Sequence, residues 1–329
     1  MDKNAETKVS VIIPVYNCAI YLERCVESLL NQTLQEIQFF FIDDCSTDDS
    51  YDKLVELIDR FPHLKDRVNL YKLDKNSGSA YVRNYGMSLS TSEFIGFVDA
   101  DDWVDSEMFE QLYQKAKKEN AQIVWCDYIN VFKNRQIYIS QTHNEDSETC
   151  IHAMMSGHML GGMCNKLIKR DLFEATQVSF PNGLNMCEDL RVNIQLFYYA
   201  DKISYLNKGF YYYVKYKTDS ISAKSAKIDV VNYEWLENVK AIVSFLNKNL
   251  KIDKLQIDKF KLSPKKNLLV KGKSIESFQL WKSIFPESNY AIRYTDYPLV
   301  YKLLAFIVVK EWWDIARFWI FFKYKLLKR

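Results

Sequence analysis

The chain has 329 residues, 48% hydrophobic and 26% charged, with 44 basic against 42 acidic side chains and a formal net charge of +2. That composition excludes intrinsic disorder, a collagen-like repeat and a disulfide-stapled miniprotein. The near-neutral balance argues against a whole-chain nucleic-acid binder, whose affinity would rest on a basic excess. The length predicts about two domains, and nine Gly with six Pro leave little room for long glycine-rich phosphate loops.

The seven cysteines (18, 25, 45, 126, 150, 164 and 187) are odd in number and contain no C-x-x-C pair. The expectation is a reduced, intracellular protein in which cysteine acts as a small hydrophobe. Met1 to Lys8 is polar, with no apolar signal region, and no uncharged apolar run reaches the roughly 18 residues of a membrane-spanning helix.

In chain order, VSVIIP at 9–14 is a β-branched apolar run closed by Pro14 and predicts a buried strand. Leu22, Cys25, Val26, Leu29 and Leu30 then follow helical spacing. Phe39–Ile42 predicts a second strand ending at Asp43-Asp44, and Ser46 or Thr47 can cap the helix that turns Leu54, Val55 and Ile58 inward. Val68–Leu73 predicts a third strand and Ala80–Leu89 a helix. Phe94–Val98 predicts a fourth strand, ending in Asp99-Ala100-Asp101-Asp102. A helix carrying Met108, Phe109, Leu112, Tyr113 and Ala116 follows, then a strand at 122–128. Beyond it the regularity fades: strands, loop and a short helix over 130–165, a helix over Glu188–Tyr199, and a Tyr-rich strand region at 203–214. From about 227 the pattern is helical, interrupted by a polar, Lys-rich stretch at 259–274.

Strands alternating with amphipathic helices predict βαβ units and a mostly parallel, doubly wound sheet, with ligands beyond the carboxyl ends of its strands. Both acidic clusters fall there. Asp99, Asp101 and Asp102 could hold a divalent cation through one or two oxygens, leaving positions for substrate phosphates. Alternatively, Asp102 or Asp105 merely caps the next helix. Asp44 could receive a base or ribose, or simply open a loop. Glu188-Asp189 could favour a helix dipole or supply a general base. Arg83 could be a solvated helix residue or a partner for a diphosphate. The four histidines lack metal-ligand spacing, and no G-x-S-x-G, Walker A or G-x-G-x-x-G is present.

VSVIIPVYN at 9–17, DDCSTDDS at 43–50, NSGSAYVRNYG at 76–86, FVDADDW at 97–103 and NMCEDLR at 185–191 occur in an order that resembles the family-2 inverting glycosyltransferases of the GT-A fold. The resemblance is strongest over 9–130, weaker over 160–225, and does not reach the C-terminal third. It implies an α/β GT-A fold with a helical C-terminal extension: a catalytic domain over 1–225 (nucleotide-sugar half 1–130, acceptor half 131–225), a helical extension over 226–296, and an amphipathic helix over 297–329.

Residue by residue, the resemblance implies that Pro14, Val15 and Tyr16 line the nucleotide base and that Asp44 contacts base or ribose. It makes Arg83 the diphosphate-side arginine, and it makes Asp99 and Asp101 the D-x-D motif, with both as donor contacts. Asp101 or Asp102 is implied as ligand to Mn²⁺ or Mg²⁺, and Asp189 as the catalytic base. KYKTDSIS at 215–222 resembles a phosphate-side segment, with Lys215, Lys217 and Ser220 as donor contacts, although lysines stand where Arg is commoner and weaken any bidentate contact. Asn165-Lys166 matches a frequent pattern without an assigned role. The implied reaction moves a sugar from a nucleotide donor, a UDP-hexose or UDP-N-acetylhexosamine, to a hydroxyl of a glycan or lipid-linked acceptor in surface-polysaccharide synthesis. A strand-end aspartate phosphohydrolase and a catalytically silent scaffold of the same fold are the alternatives.

Residues 297–329 carry seven basic and two acidic side chains, a local charge of +5 that leaves −3 for the rest. On a helical projection the charges gather on one side, against Leu304, Ile307, Val308, Ile315, Phe318, Trp319 and Phe322. Trp and Lys on such a helix predict peripheral contact with the inner face of the cell membrane; packing on protein is the alternative. No nucleic-acid partner is expected, and a homo-oligomer is left open.

Overall fold

A computed structural model describes residues 7–141, 143–216 and 233–323. Its contacts divide the chain into two compact units, Met1–Tyr216 and Lys217–Arg329.

The first unit is one nine-stranded sheet with flanking helices. Its strands are β1 (Val9–Val15), β2 (Ile37–Asp43), β3 (Val68–Lys72), β4 (Phe94–Phe97), β5 (Trp103–Val104), β6 (Ile123–Phe132), β7 (Arg135–Ile139), β8 (Lys166–Lys169) and β9 (Ile203–Val214). The helices are α1 (Ala19–Leu30), α2 (Ser50–Asp59), α3 (Ser79–Leu89), α4 (Met108–Glu119), α5 (Ser147–Ser156), α6 (Arg170–Thr176) and α7 (Glu188–Tyr199). The order is β3-β2-β1-β4-β8-β6-β9-β5, with β7 paired to β6. β3, β2, β1 and β4 are parallel, as alternating strands and helices dictate. Beyond β4 the pairing turns mixed: β8 runs antiparallel to both β4 and β6, while β9 runs parallel to β6.

Local chemistry explains the centre of this sheet. Val9, Val11, Ile12, Ile13 and Val15 are fully buried, because helices cover both faces of a parallel strand. Pro14 is tolerated because β1 and β4 pair only as far as Ile12 and Phe97, so the N–H it lacks is not needed by a neighbour. α1 buries Leu22, Cys25, Val26, Leu29 and Leu30, the stripe its spacing predicts. Gly86 lets α3 lie against the sheet, since a Cβ there would sit 2.6 Å from Ile12 Cγ2. The chain leaves β1 toward β2 and β3, then crosses back to β4 on the other side. The carboxyl ends of β1 and β4 are therefore the topological switch point, where α/β sheets bind ligands.

The second unit contains α8 (Tyr233–Asn249), α9 (Lys254–Phe260), α10 (Lys266–Val270), α11 (Ile275–Ser283), α12 (Leu299–Val309) and α13 (Trp313–Phe321). Leu262, Leu268, Phe278, Trp281, Leu304 and Val308 are among its core residues. The Lys-rich stretch 259–274 is not the polar interruption its composition suggests. Lys265 is fully buried, donates to Ile284 O at 2.5 Å and to Asn289 Oδ1, and lies over the Trp281 ring. Likewise, residues 297–323 do not form one amphipathic helix. α12 stops at Lys310, Glu311 takes a left-handed φ of 58°, and α13 starts anew. No helix among the described residues is long and apolar enough to cross a membrane.

Candidate active site

The acidic turn that follows β4 is held from β9. Tyr211 Oη donates to Asp102 Oδ2 at 2.8 Å and accepts from the Asp99 N–H at 3.2 Å. The Val214 N–H donates to Asp102 Oδ1 at 2.8 Å. Asp102 is 1% exposed, so both of its oxygens serve the fold, whereas Asp101 and Asp99 are half-buried. Burial, with Asp102 alongside, raises the Tyr211 phenol well above its ordinary value, which keeps it a neutral donor.

Arg83 of α3 lies within this acidity. Its guanidinium is 2.9 Å from Glu188 Oε1, 3.1 Å from Asp99 Oδ1 and 3.2 Å from Asp189 Oδ1. Burial by itself would lower it; Asp189, Asp99 and Glu188 outweigh burial and raise it above its ordinary value. One cation thus faces three carboxylates. Arg83 is the shared counter-ion of these three acids.

Glu188 and Asp189 occupy the first turn of α7, entered through Cys187 in a left-handed conformation at φ 68°. Glu188 is buried and also accepts from Ser79 Oγ at 3.0 Å. Asp189 Oδ1 is buried without a hydrogen bond, although it faces Arg83, while Oδ2 accepts from the Met163 N–H at 3.4 Å. Burial, opposed by Arg83 but reinforced by Glu188 and Asp99, pushes the Asp189 carboxyl up to about 7. A carboxyl group with its pKa near neutrality has the basicity a general base needs.

The other expected donor residues divide in place. Tyr16 is 46% exposed beyond the end of β1, and Pro14 is partly buried. Val15 is wholly buried at the end of β1, and its carbonyl accepts from the Asp44 N–H. Asp44 is buried, with Oδ1 accepting from the Ser77 N–H at 2.7 Å and Oδ2 from the Gly78 N–H at 2.8 Å. Gly78 needs its φ of 85° and its missing side chain, since a Cβ would lie 2.4 Å from Asn185. Asp44 therefore anchors the loop that leads into α3, and Asn185 closes over it. Lys215 places its Nζ 3.5 Å from the Tyr213 ring centroid. Lys217 and Ser220 lie outside the described residues.

Several residues of this site were not singled out from sequence. Asn185 and Ser79 lie within quoted motifs but carry no chemistry alone. Tyr211 carries no signal, being one tyrosine in a Tyr-rich strand. Lys166 and Asn165, for which sequence supplied no role, are fully buried beside the Asp189 loop.

Among the described residues no three His, Cys, Asp or Glu side chains cluster closely enough to hold a metal alone. The donor set nevertheless fits Mg²⁺ or Mn²⁺, which take one or two carboxylates and complete their shell with water and substrate phosphates. Asp101 is half-buried and Asp102 buried in the acidic turn.

A parallel half-sheet with an acidic turn at its switch point, faced by an acidic helix start from the mixed half, defines a GT-A glycosyltransferase fold. The Glycosyl transferase family 2 model matches residues 10–176, and the chain belongs to that family. It is 31% identical over 217 residues to glycosyltransferase GlyG of Streptococcus pneumoniae, covering 62% of this chain and 70% of GlyG. It is 30% identical over 213 residues to the uncharacterized glycosyltransferase EpsJ of Bacillus subtilis, covering 62% of this chain and 60% of EpsJ. The chain thus matches about 60–70% of these relatives' length. The crystal structure of Staphylococcus aureus TarS residues 1–349 with UDP has the same fold, with a TM-score of 0.67 at 20% identity over 87% of this chain and 81% of that one. Family membership sets aside the phosphohydrolase reading.

Proposed function

We propose that this chain is a metal-dependent, inverting glycosyltransferase that moves a hexose or N-acetylhexosamine from a UDP donor to a hydroxyl of a glycan or lipid-linked acceptor in surface-polysaccharide synthesis. The observation that carries the reading is the place of Asp189, in the first turn of α7, where it shares Arg83 with Glu188 and with Asp99 of the acidic turn. TarS, crystallised with UDP, supports the choice of uridine.

The donor base meets Tyr16 and Pro14, with the loop beyond Asp44 shaping its pocket. Asp101, backed by Asp102, would hold Mg²⁺ or Mn²⁺, which supplies charge neutralisation at the diphosphate. Arg83 keeps Asp99, Glu188 and Asp189 in place and offsets their mutual repulsion. Asp189 accepts the proton of the acceptor hydroxyl as that oxygen bonds to the anomeric carbon from the face opposite the departing diphosphate. A single in-line displacement inverts the configuration. General-base catalysis contributes about 10²–10⁴ in rate, and alignment of the reactants contributes further.

Asp189→Asn is the direct test. UDP affinity by calorimetry should stay within a few-fold of wild type, while transfer falls by about 10²–10⁴; near-normal transfer would refute the base assignment. Asp101→Asn should abolish the increase in UDP affinity that Mn²⁺ brings. A silent scaffold of this fold would show neither dependence.

The second unit supports a peripheral membrane contact. Leu299, Leu303, Phe306, Trp312, Ile315 and Phe318 are 38–71% exposed on α12 and α13, interleaved with Lys302, Lys310 and Arg317. Exposed aromatics among cations suit an anionic lipid interface. A membrane-facing acceptor would then bring enzyme and lipid-linked substrate to one surface, at the inner face of the cell membrane.

A further inference from the structure

Leu160 to Met163 bring backbone, not side chain, to the base. Lys166 Nζ donates to Leu160 O at 2.8 Å and to Gly162 O at 2.7 Å. Asn193 Nδ2 donates to Gly161 O at 2.7 Å and to Gly162 O at 3.1 Å. Both clamping side chains are fully buried, so neither can relax into water. The Met163 N–H then meets Asp189 Oδ2.

The two oxygens of Asp189 therefore face different surroundings. Oδ1 is buried toward Arg83, so the 21% residual exposure of this side chain belongs to its other atoms. The acceptor hydroxyl must reach Oδ2. A Cβ on Gly162 would lie 3.8 Å from that oxygen, with Cys164 Sγ and Leu160 Cγ each at 3.7 Å, so a methyl fits there without a clash. Gly162 also has no left-handed φ. Glycine at 162 is thus required neither by packing nor by backbone conformation. At neighbouring Gly161, by contrast, a Cβ would sit 2.9 Å from Leu190.

We propose that Gly162 is a specificity determinant: the clamped loop 160–163 is the acceptor-side wall of the site, kept free of a side chain so that a sugar hydroxyl can reach Asp189 Oδ2. The inference rests on Asp189 acting as base and adds the residue that lets a pyranoside hydroxyl, and not only water, reach it. Because Lys166 and Asn193 hold the loop from behind, added bulk at 162 cannot retreat and projects into the approach path.

The test compares wild type, Gly162→Ala, Gly162→Val and Asp189→Asn with UDP-glucose and UDP-N-acetylglucosamine. Release of UDP to water is measured beside transfer to octyl β-D-glucoside, with UDP affinity and thermal midpoint as controls. Gly162→Ala should keep UDP affinity and hydrolysis within about twofold of wild type, since water needs little space. Its transfer to the glucoside should fall about tenfold, mainly through KM, and that of Gly162→Val further. Unchanged transfer in Gly162→Val, or equal loss of hydrolysis and transfer at an unaltered midpoint, overturns the proposal. So does a wild type that hydrolyses donor but glycosylates no octyl glucoside. Full activity in Asp189→Asn overturns the base reading instead, which separates the two failures.

Discussion

Asp189 is the residue at which stability and activity oppose each other. Its carboxyl is raised from 3.8 to about 7, so the folded chain holds a proton there that the unfolded chain has already lost. Between those values rising pH costs stability, and above about 7 the full cost is present. Asp189→Asn should therefore melt no lower than wild type at pH 8 in a calorimetric scan, and any advantage should shrink toward pH 5. The proposed role of Asp189 runs the opposite way: kcat/KM should rise with pH through about 7, because a base must be ionised to act. Arg83 has the converse character. Removing it leaves Asp99, Glu188 and Asp189 without their shared cation, and one-sided loss of a buried pair costs about 3–5 kcal/mol. Arg83→Met should lower the urea midpoint strongly, while Asp189→Asn does not.

At the scale of elements, β9 works at a distance from its own sequence. Tyr211 and Val214 hold both oxygens of Asp102, more than a hundred residues earlier, and so set the shape of the acidic turn after β4. Tyr211→Phe deletes one hydroxyl and leaves Asp102 Oδ2 short of a donor in a buried place, a loss of about 1–3 kcal/mol. The expected result is a folded protein with a modestly lower urea midpoint and weaker Mn²⁺-dependent UDP binding by calorimetry. Unchanged metal dependence would mean that the turn holds its shape without β9. α3 shows the same economy of placement. Gly86 allows its close approach to Ile12, and that approach delivers Arg83 to the acidic site.

At the scale of the molecule, charge and apolar surface are unevenly distributed. Residues 1–296 carry −3 and the last 33 carry +5, and the exposed aromatics of α12 and α13 lie in that basic region. The full chain should float with vesicles containing anionic phosphatidylglycerol and much less with phosphatidylcholine alone. Trp312→Glu with Phe318→Glu should abolish flotation and leave UDP binding unchanged. Lipid-indifferent protein whose exposed face instead drives concentration-dependent self-association would assign that surface to a second copy.

The parallel half of the sheet was legible in the chain's local patterns. There each strand and helix is a local periodic pattern, and the connection rules leave few ways to join them. The sequence also marked Asp99, Asp101, Asp102 and Asp189, because short motifs bring their own chemistry. Tertiary structure alone decided how those acids divide their work. Asp102 accepts from two groups of β9, Glu188 and Asp189 share Arg83, Val15 is wholly buried, and Lys166 clamps a glycine loop. Each of these outcomes depends on pairs separated by tens to more than a hundred residues. It also depends on burial, which changes what a charge costs and so what it can do. The break at Glu311 and the burial of Lys265 were hidden for the same reason: composition reports which side chains are present, and packing reports which of them meet water.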